Sequence, residues 1–148
     1  MLRSLSEEEI RSVLKICRTV AVVGLSRNPA KDSYQVAQYL QSVGYRVIPV
    51  NPFADEILGE RSYKNLLDVP EAIEVVDIFR PSENVPPIVE EAIKLKNKLG
   101  TPKVVWMQLG IVNEEAARQA RKAGFTVVMN RCMMVEHRRL SMEGVMDS

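Results

Sequence analysis

A short polar segment with one glycine, two hydroxyl side chains and two cations follows the first long apolar run of the chain. The run V-A-V-V begins at Val20, and the segment G-L-S-R-N-P-A-K-D-S occupies residues 24–33. Glycine lets a ligand approach the backbone closely, and hydroxyl, guanidinium and ammonium groups donate hydrogen bonds to phosphate oxygens. A helix that begins at its end would add free N–H groups. The segment therefore predicts a site for a phosphate-bearing ligand.

Each later apolar run also ends in a polar or turn-forming sequence, and helical patterns separate the runs. This alternation predicts an α/β fold, a Rossmann-like three-layer fold with a five-stranded, mainly parallel sheet. In such a sheet the loops after the strands share the carboxyl edge, where ligands bind. The predicted strands are 20–23, 45–50, 75–79, 104–107 and 125–129, and the loops that follow them begin at Gly24, Asn51, Arg80, Gln108 and Asn130.

The helices are predicted from apolar spacing and from their terminal residues. Ser6 and Glu9 form a capping box for an N-terminal helix over 6–18, and Ser33 is the predicted N-cap of a helix that ends near residue 42. Residues 53–70 are predicted to be a long loop with one helical turn near 62–67. The remaining helices are predicted from 82–87 to 100, from 113 to 124 and over 135–140.

Length and composition place the chain among compact globular proteins. Its 148 residues fit a single domain over 1–148, with the sheet core at 19–130 and a C-terminal tail at 131–148. A net charge of +1 gives no basic footprint for nucleic acid or for an anionic membrane. The acidic N-terminus is unlike a signal peptide, and two cysteines do not form a disulfide framework. We expect a cytoplasmic protein.

Two common phosphate-binding motifs are absent from the sequence. A dinucleotide site needs G-x-G-x-x-G after the first strand and an acidic residue at the end of the second, but the loop holds only Gly24 and the acid is replaced by Asn51. A G-x-x-x-x-G-K-[ST] sequence does not occur anywhere. Both observations disfavour a dinucleotide or a P-loop ligand.

Four segments carry a family resemblance: V-G-L-S-R-N-P-A-K-D-S, G-Y-R-V-I-P-V-N-P, D-I-F-R-P-S-E-N-V-P and W-M-Q-L-G-I-V-N-E-E-A. Through these four segments taken together, the chain resembles the small stand-alone CoA-binding proteins. Their fold is similar to the CoA-binding domain of the succinyl-CoA synthetase α-subunit. The resemblance runs from about residue 19 to residue 139. It implies a Rossmann-like sheet that binds coenzyme A or an acyl-CoA across its carboxyl edge.

The resemblance also implies which residues contact the coenzyme. The first loop is expected near the phosphates, the third beside adenine and ribose, and the fourth beside the pantetheine arm. Two cations, Arg27 and Lys31, are added from charge alone, as partners for the pyrophosphate or the ribose 3′-phosphate. The residues implied by the resemblance are Gly24, Ser26, Pro29, Ser33, Asn51, Pro52, Arg80, Pro81, Met107, Gln108 and Gly110.

Catalysis is not evident from the sequence, so three functions stay open. The first is a module that binds CoA or an acyl-CoA. The second is an NADP-dependent oxidoreductase, and the third is the CoA-site subunit of a separately encoded acyl-CoA synthetase. Cys132 is either an inert thiol or a partner for the CoA thiol in a mixed disulfide. A homo-oligomer is possible through an apolar outer face of the helix at 116–123, and no metal site is expected.

Overall fold

The computed structural model describes residues 7–144 and contains a five-stranded sheet in which every strand pair is parallel. The strand order is β2-β1-β5-β6-β7, which confirms the predicted Rossmann-like α/β class. The sheet strands are β1 (Thr19–Val23), β2 (Arg46–Val50), β5 (Val75–Ile78), β6 (Val104–Met107) and β7 (Thr126–Val128). They are continuous apolar runs because helices cover both faces of a parallel sheet.

Five helices form the two outer layers of the fold. The first, second and fifth pack on one face around Trp106, and the third and fourth pack on the opposite face around Ile78. They are α1 (Glu7–Ile16), α2 (Asp32–Ser42), α3 (Val85–Leu99), α4 (Glu114–Lys122) and α5 (Met133–Met142). A 3₁₀ turn at Ser82–Asn84 precedes α3, so that Pro86 and Pro87 lie in its first turn, where no N–H is needed.

The chain reverses direction across the sheet between β1 and β5. From β1 it moves outward to β2, and it then returns to the other side of β1 to form β5 and continue to β7. Such a switch point opens a crevice at the carboxyl ends of the two strands concerned. The loops that follow β1 and β5 therefore define the place where a ligand is expected.

The segment after β2 has more regular structure than the prediction of a long loop. It contains a hairpin of β3 (Glu56–Ile57) and β4 (Glu60–Arg61), followed by a 3₁₀ turn at Leu66–Asp68. The hairpin turn uses two residues with positive φ, Leu58 at 54° and Gly59 at 77°. Strands of two residues are too short for the period-2 pattern that identifies a strand in a sequence.

Two predictions about helices are wrong, and one lies outside the described residues. Ser33 is not the N-cap of α2, because Lys31 occupies that position and Ser33 is already inside the helix. The helix after the fifth strand is longer than predicted, since it runs to Met142. The capping box needs Ser6, which lies outside the described residues.

The predicted apolar outer face of α4 is also absent from the structure. The three buried alanines of this helix, Ala116, Ala117 and Ala120, all face the sheet, and its exposed positions are charged or polar. This helix therefore offers no apolar surface for self-association. Among residues 7–144, no helix is both long and apolar enough to span a bilayer.

Candidate functional site

Among the cavities at the carboxyl edge of the sheet, two lie on opposite sides of the segment that follows β5. Phe79 lines one and its neighbour Arg80 lines the other, because consecutive residues leave the strand in opposite directions. The polar cavity, of about 240 Å³, has a lining that includes Pro52, Lys64, Asn65, Arg80, Asn84 and Glu91. The apolar cavity, of about 290 Å³, has a lining that includes Val36, Phe79, Gln108, Leu109, Cys132 and Met134.

Gly24 lets the loop after β1 pass close to the end of β5. Its φ is +89°, and a Cβ at this position would lie 2.5 Å from the carbonyl oxygen of Phe79. Its N–H donates to the carbonyl oxygen of Val50 at 2.9 Å. Both the backbone conformation and the close approach require glycine. The single glycine of the first loop therefore brings together the ends of three strands, β1, β2 and β5.

The two serines of the first loop hold its shape. The hydroxyl of the buried Ser33 accepts a hydrogen bond from the N–H of Ser26 at 2.9 Å. The Ser26 hydroxyl in turn accepts from the N–H of Asn28 at 3.0 Å. Ser33 therefore closes the loop onto α2, which explains why a serine is placed one residue inside the helix. Both hydroxyls that the sequence assigned to a ligand have backbone partners in the loop.

Asn51 connects the loops that follow β1 and β2. Its Nδ2 donates to the carbonyl oxygen of Leu25 at 2.9 Å, and its Oδ1 accepts from the N–H of Phe53 at 2.8 Å. Its own N–H donates to the carbonyl oxygen of Tyr63 at 2.9 Å. The amide that stands in the place of a ribose-binding acid is thus used to join the two loops.

The cations of the site divide between the polar cavity and the exposed loop. Arg80, which is half-buried, and Lys64 line the polar cavity, and within residues 7–144 neither forms an ion pair with a carboxylate. Arg27 is exposed and donates from Nη1 to the carbonyl oxygen of Phe53 at 3.2 Å. Lys31 is exposed at the N-cap of α2. The two cations of the polar cavity are available to a phosphate group.

A buried carboxyl group lies directly beneath the apolar cavity. Asp77 on the central strand β5 is fully buried, and its Oδ1 accepts a hydrogen bond from Nε2 of Gln108 at 2.6 Å. Its Oδ2 is buried without a partner among the described residues. Burial raises the pKa of Asp77 to about 7, although the hydrogen bond from Gln108 lowers it in part. Gln108, which is 2% exposed, separates this carboxyl group from the cavity.

The remaining predicted site residues occupy different surroundings. Gly110, with φ +85°, donates its N–H to Oδ1 of Asn130 at 2.7 Å, which ties the loop after β6 to the loop after β7. Pro81 precedes the 3₁₀ turn before α3. Met107 is fully buried in the core on the α3 side and lines neither cavity. Pro29 faces a third, shallower cavity between α2 and α5, beside Arg138.

Several residues of the site are not evident from the sequence. Lys64 follows the short hairpin, and the bridge between its neighbour Tyr63 and Val50 of β2 brings it into the same cavity lining as Arg80. Asp77 interrupts the run V-V-D-I, but the sequence does not show whether this polar residue is buried or exposed. Phe79 and Met134 enter the apolar cavity from separate elements. An aspartate inside an apolar run is the one sequence signal that points to a special position.

The chemistry-bearing residues of the C-terminal segment lie at different depths. Cys132 is partly exposed and lines the apolar cavity. A mixed disulfide between Cys132 and the CoA thiol stays a prediction. His137 is buried, and its Nδ1 lies 2.7 Å from the hydroxyl of Tyr39 on α2. Within residues 7–144, no group of three or more His, Cys, Asp or Glu side chains is placed to hold a metal ion.

A doubly wound parallel sheet with paired cavities at its switch point defines a Rossmann-like α/β domain with a candidate ligand site at the carboxyl edge. Residues 18–138 match the family model described as a CoA binding domain. The chain belongs to this family, which confirms the resemblance carried by its four loop segments.

Relatives of similar length and of much greater length share this domain. The protein YneT of Bacillus subtilis (strain 168) is 39% identical over 132 residues, which cover 89% of this chain and 94% of YneT. The fold is similar to that of a hypothetical protein from Pyrococcus horikoshii OT3, with a TM-score of 0.87, 42% identity, and coverage of 95% of this chain and 98% of that protein.

Among longer proteins, an ADP-forming acetate–CoA ligase of Methanocaldococcus jannaschii is 35% identical over 77 residues, which cover 52% of this chain and 11% of the ligase. The chain is therefore related to the ADP-forming ligases through one small part of their length.

Proposed function

We propose that the chain binds coenzyme A or an acyl-CoA at the carboxyl edge of the sheet. The observation that carries this proposal is the pair of cavities with opposite character on the two sides of Phe79 and Arg80. Coenzyme A has two parts of matching character: a nucleotide with three phosphate groups, and a flexible arm with methyl groups, two amides and a terminal thiol. Membership of the CoA binding domain family supports the same ligand.

The nucleotide part fits the polar cavity. Arg80 and Lys64 supply positive charge and form no ion pair within the described residues, and the carboxyl group of Glu91 lines the same cavity. Charge-assisted hydrogen bonds to phosphate are among the strongest that proteins form. Asn65 and Asn84 add amide groups that can pair with a purine edge, above an apolar floor that includes Leu66. The backbone at Gly24 lies between the two cavities, where the pyrophosphate would cross.

The pantetheine arm fits the apolar cavity. Its wall is formed by Val36, Phe79 and Met134, and Gln108 is its most buried polar group. Ligand pockets of this kind combine an apolar lining with a few polar groups that fix orientation. The arm would then end beside Cys132, at the start of α5.

Isothermal titration with CoA, dephospho-CoA and NADPH tests the proposal. We expect CoA to bind more tightly than dephospho-CoA, because Arg80 and Lys64 are free to contact the 3′-phosphate, and we expect no binding of NADPH. Absence of CoA binding at millimolar concentration, or tighter binding of NADPH, would refute the proposal.

Matched substitutions separate the polar cavity from general surface charge. Arg80→Gln and Lys64→Gln are each expected to weaken CoA binding roughly tenfold, because each removes one charge-assisted contact. Arg118→Gln on α4 and Lys98→Gln at the end of α3 change the net charge equally at exposed positions away from both cavities. Equal losses in all four variants would show that the effect is not local to the cavity.

A second function is favoured by the relation to ADP-forming acetate–CoA ligases. The chain matches only a small part of such ligases, so it would supply the CoA site to a separate chain that carries the remaining activity. Copurification of a defined partner from the native source, together with CoA-dependent ligase activity of the complex, would support this function. A chain that binds CoA with no stable partner would support the binding module.

A further inference from the structure

The lining of the apolar cavity includes one buried amide, that of Gln108, which forms a hydrogen bond with the buried carboxyl group of Asp77. Gln108 lines this cavity although only 2% of the residue is exposed. Its Nε2 donates to Oδ1 of Asp77 at 2.6 Å. An amide that directs its nitrogen to one side must direct its oxygen to the other. None of the described residues donates a hydrogen bond to Oε1 of Gln108, so the cavity side of this amide is an acceptor without a partner.

Asp77 reaches Gln108 from the interior of the sheet. In the strand register, Asp77 lies beside Val22 of β1 and Trp106 of β6, and all three side chains are fully buried. The ring nitrogen of Trp106 donates to the carbonyl oxygen of Arg131 at 2.8 Å, so it is not available to Asp77. Gln108 is therefore the one described side chain that bonds to this carboxyl group, and an ionised carboxylate can only accept.

We propose that Asp77 is a positioning residue that holds the Gln108 amide with its oxygen toward the apolar cavity, so that this cavity selects a ligand arm carrying an N–H donor. The inference rests on the proposed function and deepens it, because the pantetheine arm carries two amide N–H groups. A purely hydrocarbon chain of the same length would leave the Gln108 oxygen buried and unpaired, which is costly.

The ionisation of Asp77 supports the same orientation. A pKa of about 7 leaves the carboxylate ionised under mildly alkaline conditions, where it can accept from Nε2 and cannot donate to Oε1. The binding measurements are therefore made near pH 8, at which only one orientation of the amide satisfies the buried charge.

The test compares CoA with adenosine 3′,5′-bisphosphate, a nucleotide fragment of CoA that lacks the arm. Gln108→Leu and Asp77→Leu are each expected to weaken CoA binding roughly three- to tenfold and to change binding of the bisphosphate less than twofold. Asp77→Asn is expected to retain most of the CoA affinity, because it keeps an oxygen opposite Nε2. The double variant should bind CoA no more weakly than Gln108→Leu alone, since Asp77 acts only through Gln108.

Equal weakening of both ligands, or full additivity in the double variant, would overturn the positioning role, and so would unchanged CoA binding in Gln108→Leu. The last result applies even if Asp77→Leu fails to fold. If the original protein binds neither CoA nor the bisphosphate, the proposed function itself is refuted. Binding of CoA by the original protein with no loss in the variants refutes only the role of this pair.

Discussion

Replacing Asp77 by asparagine should stabilise the protein at alkaline pH and not at acidic pH. In the folded protein the pKa of Asp77 is about 7, against an ordinary value of 3.8, because the carboxyl group is completely buried. The unfolded chain therefore loses this proton as the pH rises above about 4, whereas the folded protein keeps it until about pH 7. Between these values the free energy of unfolding therefore falls as the pH rises.

The size of the effect follows from the pKa difference. A shift of about 3 units corresponds to about 4 kcal/mol at 1.36 kcal/mol per unit. The side chain of Asp77 is thus neutral and costs no ionisation energy below about pH 4, and its buried charge costs about 4 kcal/mol above pH 7. Asparagine has nearly the same shape and keeps the acceptor for Gln108, but it carries no charge at any pH.

Urea denaturation of both proteins between about pH 4 and pH 8.5 measures this difference. Trp106 is the single tryptophan, is fully buried, and lies next to Asp77 in the strand register, so its fluorescence reports the transition. Other groups titrate in both proteins and cancel in the comparison. We expect the stability difference between Asp77→Asn and the original protein to grow by several kcal/mol across the range.

An exposed aspartate provides the control for this experiment. Asp55→Asn, at an exposed position in the loop before the hairpin, should change the free energy of unfolding by less than about 0.5 kcal/mol. A constant difference between Asp77→Asn and the original protein across the whole range would refute the reasoning, because it would mean that Asp77 has the same pKa in the folded and unfolded states.

Gly24, His137 and Cys132 each allow a further prediction. Gly24→Ala should lower the free energy of unfolding by roughly 2 kcal/mol or more, because its Cβ would meet the Phe79 carbonyl. Gly59→Ala, with open space around it, should lower it by about 1 kcal/mol in urea denaturation. Equal losses would contradict the close approach at Gly24. Burial and the nearby Arg18 lower the pKa of His137 in the folded protein, so the unfolded chain takes up this proton first as the pH falls below about 6.5. His137→Gln should therefore lose less thermal stability than the original protein between pH 7.5 and pH 5. An identical loss in the two proteins would contradict this. With CoA disulfide, the Cys132 thiolate should attack one sulfur and release one CoA thiol, adding one CoA to the intact mass of the original protein and of Cys17→Ser but not of Cys132→Ser; an adduct that persists in Cys132→Ser would assign the reaction elsewhere.

The fold class and the edge of the sheet that carries the candidate site are predictable from the sequence because they depend on local patterns. Buried parallel strands need continuous apolar runs, and the turns that end them need glycine, proline or polar residues. These patterns place the loops at Gly24, Asn51, Arg80 and Gln108 on one edge of the sheet. The structure confirms the parallel sheet that aligns them.

The contacts within the site depend on distances between segments, which local patterns do not contain. Ser33 has the residue type of an N-cap, but its hydroxyl bonds the N–H of Ser26 seven residues earlier. Lys64 enters the lining of the polar cavity because its neighbour Tyr63 bridges to Val50 of β2, thirteen residues earlier. The burial of Asp77 depends on its neighbours on β1 and β6, which come from distant parts of the chain.

The hydrogen bonds of Asn51 and Ser33 have a consequence for the thermodynamics of ligand capture. They hold the loop after β1 in one conformation before any ligand arrives, through the carbonyl oxygen of Leu25 and the N–H of Ser26. Ordering a flexible loop costs about 1–2 kcal/mol for each residue that is fixed. A preorganised loop avoids that entropic penalty on binding, so more of the contact energy contributes to affinity. Selection on Asn51 and Ser33 would thus act on the conformational entropy of the free protein, even if neither side chain touches the ligand.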